Sequence, residues 1–283
     1  MNACELDGGQ VTTVSATSEP ALAVARRRFD PFWLVLGVIT GSYLLFWVGL
    51  LGSMAAHSSP HDLWRALQAR EIHYSIGLSL VSCTLTAVLS LVLAVPVGYL
   101  LSRARFPGRV WLDAALDVPI VLPPMVVGLC LLIFFQTAVG HLIERAIPFT
   151  YTIAGVVLAQ FVIGAAFAVR TMRGTFDHLS SRPEDVALTL GCSRSRAVWL
   201  VTLPAARRGM FAAASIAWAR SLGEFGPILV FAGATRMKTE VLPTSVWLEL
   251  SVGNLEAAIA VSLLMVALAT VVLASVRLMG ERL

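Results

Sequence analysis

Charge is scarce in this sequence. Only 13% of its 283 residues are Asp, Glu, Lys or Arg, about half the roughly 25% of an ordinary soluble domain. With 57% hydrophobic residues and a mean hydropathy of +0.80, that shortage excludes a water-soluble globular chain and makes lipid the solvent. Lysine is nearly missing: Lys238 stands alone against twenty arginines. A phosphate-binding loop needs Gly-x-x-x-x-Gly-Lys-Ser/Thr. Lys238 is followed by Thr239 but preceded by Met237, so nucleotide hydrolysis has no place in the chain. Cysteine is limited to Cys4, Cys83, Cys130 and Cys192, spaced for neither a disulfide framework nor a metal site. His57, His61 and His73 stand singly in a polar segment. A membrane-embedded enzyme would need His, Asp or Ser groups converging at membrane depth, and these histidines lie outside the apolar runs.

What is abundant is apolar sequence in long runs. A membrane span needs roughly 20 mostly apolar residues, and six stretches qualify, at about 32–52, 75–101, 114–139, 151–169, 211–233 and 257–276. With the N-terminus inside, fifteen arginines fall in cytoplasmic segments, and Arg65, Arg70, Arg145, Arg236 and Lys238 fall outside. That asymmetry obeys the positive-inside rule and places both termini in the cytoplasm. The net charge of +4 then reflects topology, not nucleic-acid binding. Residues 1–30 read as a polar, disordered cytoplasmic tail. Arg26-Arg27-Arg28-Phe29 superficially resembles a twin-arginine signal, but the run behind it is too long for a signal core of 7–15 residues. Residues 31–74 read as a first span, capped by Asp30 with Pro31 as its first helical residue, plus an outside segment. Residues 278–283 form a short cytoplasmic C-terminal tail.

Two spans carry breaks. The third, DVPIVLPPMVVGLCLLIFF, holds Pro119, Pro123, Pro124 and Gly128. Proline removes a backbone donor, and lipid tolerates the loss only where protein or a watery cavity satisfies the freed groups, so this span is expected to face the interior. The fifth, FAAASIAWARSLGEFGPILVFAG, holds Arg220 and Glu224 four residues apart, on one helix face. A charge at that depth costs at least about 2.5–3.5 kcal/mol, so the pair is expected to point inward, beside a weakness at Gly226-Pro227. It reads either as a gate with Phe225 or as a structural ion pair. In the outside segment 234–256, Val246, Trp247, Leu248 and Leu250 suit a membrane interface.

Between the fourth and fifth spans lies a cytoplasmic stretch of about 40 residues, including PEDVALTLGCSRSRAVWLVTLP from Pro183 to Pro204. Asp177 or Ser181 suits the cap of a first short helix, and Gly191 suits its left-handed end. A second helix from Ser193 is expected to break at Leu203-Pro204. Asp185-Val186-Ala187, Gly191, Val201, Leu203 and Pro204 resemble, spacing for spacing, the E-A-A, three residues, G, nine residues, I-x-L-P motif of permease subunits of binding-protein-dependent ABC importers. Asp for Glu, Val for Ala and Val for Ile are mild departures.

The resemblance, over residues 75–277, implies an all-α, polytopic chain of six transmembrane helices with the type I ABC importer permease fold. The coupling segment is 171–210, in which Glu184, Asp185, Val186, Ala187, Gly191, Val201, Leu203 and Pro204 would dock in the ATPase. Pro123, Pro124, Arg220, Glu224, Phe225 and Gly226 would line the path or its gate. The partners implied are two ATPase subunits, a second permease subunit (an identical chain), and a periplasmic binding protein. ATP and Mg would sit on the ATPase, this chain being non-catalytic and without cofactor or metal. The location implied is a bacterial or archaeal inner membrane. Asp117–Gly128, Ser221–Gly233 and Thr235–Pro243 are similar to permeases for tetrahedral oxyanions, molybdate and tungstate first, sulfate and thiosulfate next. A secondary transporter or channel working without an ATPase is the rival reading, and it lacks clear internal repeats.

Overall fold

The computed structural model describes residues 31–57 and 60–282, and the expected N-terminal tail with Asp30 lies outside them. Among the described residues every regular element is helical. The first unit, within residues 1–50, contains most of helix α1 (Pro31–Ala56). That helix is apolar along its whole length with no buried residue, so hydrophobic side chains such as Phe32, Trp33 and Leu45 are exposed on all sides. Such a helix is stable only where lipid or protein covers it.

The second unit, residues 51–283, is built on three long helices. These are α3 (Arg70–Arg103), α7 (Ile153–His178) and α10 (Leu203–Leu222). Their crossing is lined by Ala87 and Ala94 of α3, Ala168 and Met172 of α7, and Ala206, Ala213 and Ala217 of α10. In lipid there is no hydrophobic drive between helices, so close approach over small side chains supplies the packing energy. One face of α3 takes this furthest. Ser75, Ser79, Ser82, Thr86 and Ser90 repeat at three- and four-residue intervals and are all buried. Gln160 of α7 closes the middle of the bundle: its side-chain oxygen accepts from Thr86 Oγ1 at 3.3 Å, and its amide donates to the Ser221 carbonyl at 3.2 Å.

Around this frame lie α2 (Pro60–Gln68), α4 (Arg109–Val121), α5 (Pro124–Phe135), α6 (Ala138–Ala146), α8 (Arg182–Thr189), α9 (Arg194–Ala197), α11 (Leu242–Ser251) and α12 (Leu255–Arg282). Two π turns, Val198–Thr202 and Ile228–Ala232, complete the set.

The spans are not six uninterrupted helices, and the two interruptions fall in the stretches expected to carry breaks. Helices α1, α3, α7 and α12 are each long and apolar enough to cross a membrane. The stretch 114–139 is not one continuous helix: α4 and α5 meet at a 111° bend. The cause is Leu122-Pro123-Pro124, where extended Leu122 (ψ 140°) and Pro123 (ψ 132°) leave the helical region, as residues before proline do. Nor is 211–233 continuous. Helix α10 begins at Leu203, ends at Leu222 and carries Arg207, Arg208 and Arg220. The expected C-terminal tail is helical through Arg282. Helix α11 buries Leu242, Thr244, Ser245 and Glu249, while Trp247 and Leu250 on its other side are exposed. It is held on the α3 stripe, with Leu242 N–H donating to Ser79 Oγ at 2.9 Å and Ser245 Oγ to Ser75 Oγ at 2.8 Å.

Replacing Gln160 by Leu removes bonds to two neighbouring helices. Interhelical bonds average about 0.6 kcal/mol each and reach about 1.7, so Gln160→Leu is expected to lose about 1–3 kcal/mol. Thermal unfolding in detergent measures this, and an unchanged melting temperature would remove Gln160 as the central tie.

Candidate functional site

The segment 182–204 folds as a helical element whose ends are set by local chemistry. Pro183 occupies the first turn of α8, where its missing N–H costs nothing. Ser181 holds the cap position without a side-chain bond, so neither suggested cap makes the contact. The other end is a Schellman closure: Cys192 N–H reaches the Ala187 carbonyl at 3.1 Å and Gly191 N–H the Leu188 carbonyl at 3.0 Å. Gly191 sits at φ 88°, the left-handed conformation that glycine adopts without a Cβ penalty. The expected break at Leu203-Pro204 does not occur. Helix α9, the π turn 198–202 and α10 follow one another with helical dihedrals at Val198, Thr202 and Leu203. Leu203 N–H bonds the Val198 carbonyl five residues back, and the widened turn accommodates the ring and missing donor of Pro204.

A carboxylate fastens this element to the bundle, and it belongs to Glu184. Its side chain is buried, accepting from Tyr99 O–H of α3 at 2.5 Å and from Thr202 Oγ1 at 2.9 Å. Arg103 of α3 donates to the Leu179 carbonyl at 2.7 Å, fixing the entry to α8. Asp185, the motif position, is exposed, as is Pro204; Ala187, Val201 and Leu203 are half-buried. Val186, Leu190, Trp199 and Leu200 leave large apolar surfaces bare, with Arg194 and Arg196 exposed beside them. Clustered apolar exposure rimmed by charge is the mark of an interaction surface. Tyr99 and Thr202 were not legible as partners of Glu184, because nothing in the sequence links it to positions 85 and 18 residues away.

The second assembly is where the two broken stretches meet. A Cβ on Gly226 would lie 2.9 Å from Met125 N and 3.1 Å from Pro124 Cβ, and one on Gly128 would lie 2.7 Å from Pro227 Cα. The Pro123-Pro124 bend and the Phe225-Gly226-Pro227 break are thus packed backbone against backbone, at distances only glycine permits. Helix α4 is tied to the arginine-rich end of α7: Arg173 pairs with Asp113, and Arg170 Nη1 lies 3.5 Å from Asp117 Oδ2. Arg220 Nη1 lies 2.9 Å from Glu224 Oε2, an electrostatic contact without an aligned hydrogen bond. The pair is unequal: the Glu224 side chain is 1% exposed and that of Arg220 32%. The guanidinium also stands over the Phe167 ring, 5.8 Å from its centre, and Phe225 faces Trp247 at 6.4 Å.

The far end of the bundle is closed by a third polar group. Arg236 bonds Glu249 Oε1 at 2.6 Å, while Asn254 Nδ2 bonds Glu249 Oε2 at 3.0 Å. The Glu249 hydrogen bond raises the Arg236 pKa, with burial opposing it. Among the described residues, no three His, Cys, Asp or Glu side chains are grouped to hold a metal ion.

Tyr99→Phe or Thr202→Val leaves the buried Glu184 carboxylate one donor short, at a cost of about 1–3 kcal/mol. Looser seating of α8 and α9 is expected to speed trypsin cleavage after Arg194 and Arg196 severalfold. Unchanged cleavage would mean that the clasp does not hold the element.

Comparison with known proteins gives this geometry its relatives. The probable molybdenum ABC transporter permease protein of Haloferax volcanii is 33% identical over 244 residues, covering 86% of this chain and 88% of that one. The sulfate transport system permease protein of Escherichia coli is 30% identical over 267 residues, covering 92% and 96%. The crystal structure of a bacterial ABC transporter that imports the acidic polysaccharide alginate superimposes with a TM-score of 0.71 at 14% identity, over 89% of this chain and 96% of that one. Residues 94–283 match the family described as binding-protein-dependent transport system inner membrane component, and the chain belongs to that family.

Proposed function

We propose that this chain is the non-catalytic, membrane-spanning permease subunit of an ATP-driven importer, and that its cargo is molybdate or tungstate. The observation that carries the reading is the element 182–202: a helical pair with a bare apolar face, fastened into the bundle through Glu184 and continuous with α10. A surface that must pass force into the membrane needs a stiff connection, and α9, the π turn and α10 provide one. With the arginine-rich end in the cytoplasm, both termini are cytoplasmic and this face meets a soluble ATPase. Asp185, Val186 and Leu190 supply its exposed contacts, while Glu184 holds it in place.

Two ATPase subunits, each carrying the ATP and Mg, would draw together the coupling elements of two copies of this permease chain. The movement reaches the crossing of Pro123-Pro124 with Phe225-Gly226, where two broken stretches abut without helical hydrogen bonds spanning them. Such a joint is where packed helices shift most readily, so these residues form the gate. A periplasmic binding protein delivers the anion at the opposite end. The core 75–277 carries all of this. The molybdenum relative favours molybdate or tungstate; the sulfate relative supports the second reading, sulfate or thiosulfate.

Proteoliposomes containing the chain, its ATPase and its binding protein test the function: ATP-dependent uptake of molybdate or tungstate is expected, and uptake without the ATPase would overturn the importer reading. Calorimetry of the binding protein against molybdate, tungstate and sulfate separates the cargoes. Gly191→Val places a branched side chain at φ 88°, a strain of roughly 1–2 kcal/mol. Uptake per ATP is expected to fall about tenfold while ATP hydrolysis continues. A normal ratio would remove the docking role of this turn.

A further inference from the structure

The unequal burial of Arg220 and Glu224 carries a consequence for the cargo. Phe167, over which the guanidinium stands, is the fifteenth residue of the 26-residue helix α7, so the charge lies near the middle of a membrane-crossing helix. About a third of its side chain is bare. Exposed residues on the same side of α10 are Ala212, Ile216 and Gly223. A bare guanidinium at mid-depth is not stable against hydrocarbon; such groups face a bundle interior or a water-filled cavity. The Arg220 face of α10 is therefore an inward face.

The donor count points the same way. A guanidinium offers five N–H donors in a planar fork suited to two oxygens at once. One edge, Nη1, lies against Glu224, the Phe167 ring covers one face, and the remaining exposed N–H groups are directed at no hydrogen-bond partner among the described residues. Glu224, although a carboxylate beside an anion path, is sealed off at 1% exposure. What the path meets is the cation alone. One turn along the same face of α7, Arg170 repeats the arrangement: its side chain is 66% exposed and 3.5 Å from Asp117.

We propose that Arg220 is the mid-path contact for a doubly charged tetrahedral oxyanion, binding two of its oxygens through the free edge of the guanidinium. Glu224, buried behind it, weakens the attraction so that the anion is held loosely enough to leave, as conduction requires. Arg170, compensated by Asp117, receives the anion next. This rests on the oxyanion-importer reading above.

The test uses the assembled importer in proteoliposomes, with uptake of molybdate, tungstate and sulfate measured against concentration. The deciding variant is the double substitution Arg220→Gln with Glu224→Gln, which keeps the shape of the pair and leaves no unpaired buried charge. If Arg220 contacts the anion, this variant melts with wild type but takes up the anion at least tenfold more slowly. If the pair only fixes packing, the double variant transports as wild type does, and the proposal is overturned. Should the double variant melt below wild type, Arg220→Lys decides: it keeps the ion pair with Glu224 but loses the fork. Severalfold slower uptake supports the contact, and unchanged uptake overturns it. Wild-type vesicles that take up none of the three anions would overturn the importer reading itself, a result separable from any variant's.

Discussion

Hydrocarbon solvates neither a free carbonyl nor a charge, and the two broken stretches of this chain lie where another part of the protein covers them. The bend at Leu122-Pro123-Pro124 lies against the break at Gly226-Pro227. Glu224 is covered and faces Arg220. The serine and threonine face of α3 is turned toward α7 and α11, where Gln160, Leu242 and Ser245 use its hydroxyls. Long regular helices make up most of the remainder, because a helix satisfies its own backbone.

Much of this was readable from composition and spacing. The apolar runs at 32–52, 75–101 and 257–276 became helices, because a run of that length has no other stable state in lipid. The turn at Gly191 was legible because only a residue without Cβ sits comfortably at φ 88°. The prolines marked a break, but not its size: the angle of 111° depends on what the two arms rest upon, Arg170 and Arg173 for α4 and the π turn 228–232 for α5. The error at Leu203-Pro204 has a similar origin. Proline forbids an ordinary fourth-residue bond, but a π turn just before it sidesteps the prohibition, and Thr202 at the end of that turn bonds Glu184.

The motif positions also divided in a way spacing does not reveal. Asp185 and Glu184 are adjacent carboxylates on a short helix, 100° apart around its axis. One faces outward and the other into the bundle. Which one points inward depends on where Tyr99 stands, a residue of another helix. The repeat Ser75, Ser79, Ser82, Thr86, Ser90 was not singled out from the sequence, although its spacing stood there to be read. Small polar residues at three- and four-residue intervals in an apolar run announce a face meant for close contact.

The π turn at 198–202 fixes a phase. Each residue of an α-helix advances the side chains by about 100°, and a π turn contains one residue more than an ordinary turn. Everything after it on α10 is therefore rotated relative to Trp199 and Leu200 by that one step. The side of α9 that faces outward at one end and the side of α10 that carries Arg220 at the other are set against each other by a single inserted residue. Deleting one residue between Val198 and Thr202 would turn the helix like a key in its lock, carrying Arg220 off Phe167 and Ala213 and Ala217 out of their seats. The register between α9 and the far end of α10 is set at that turn.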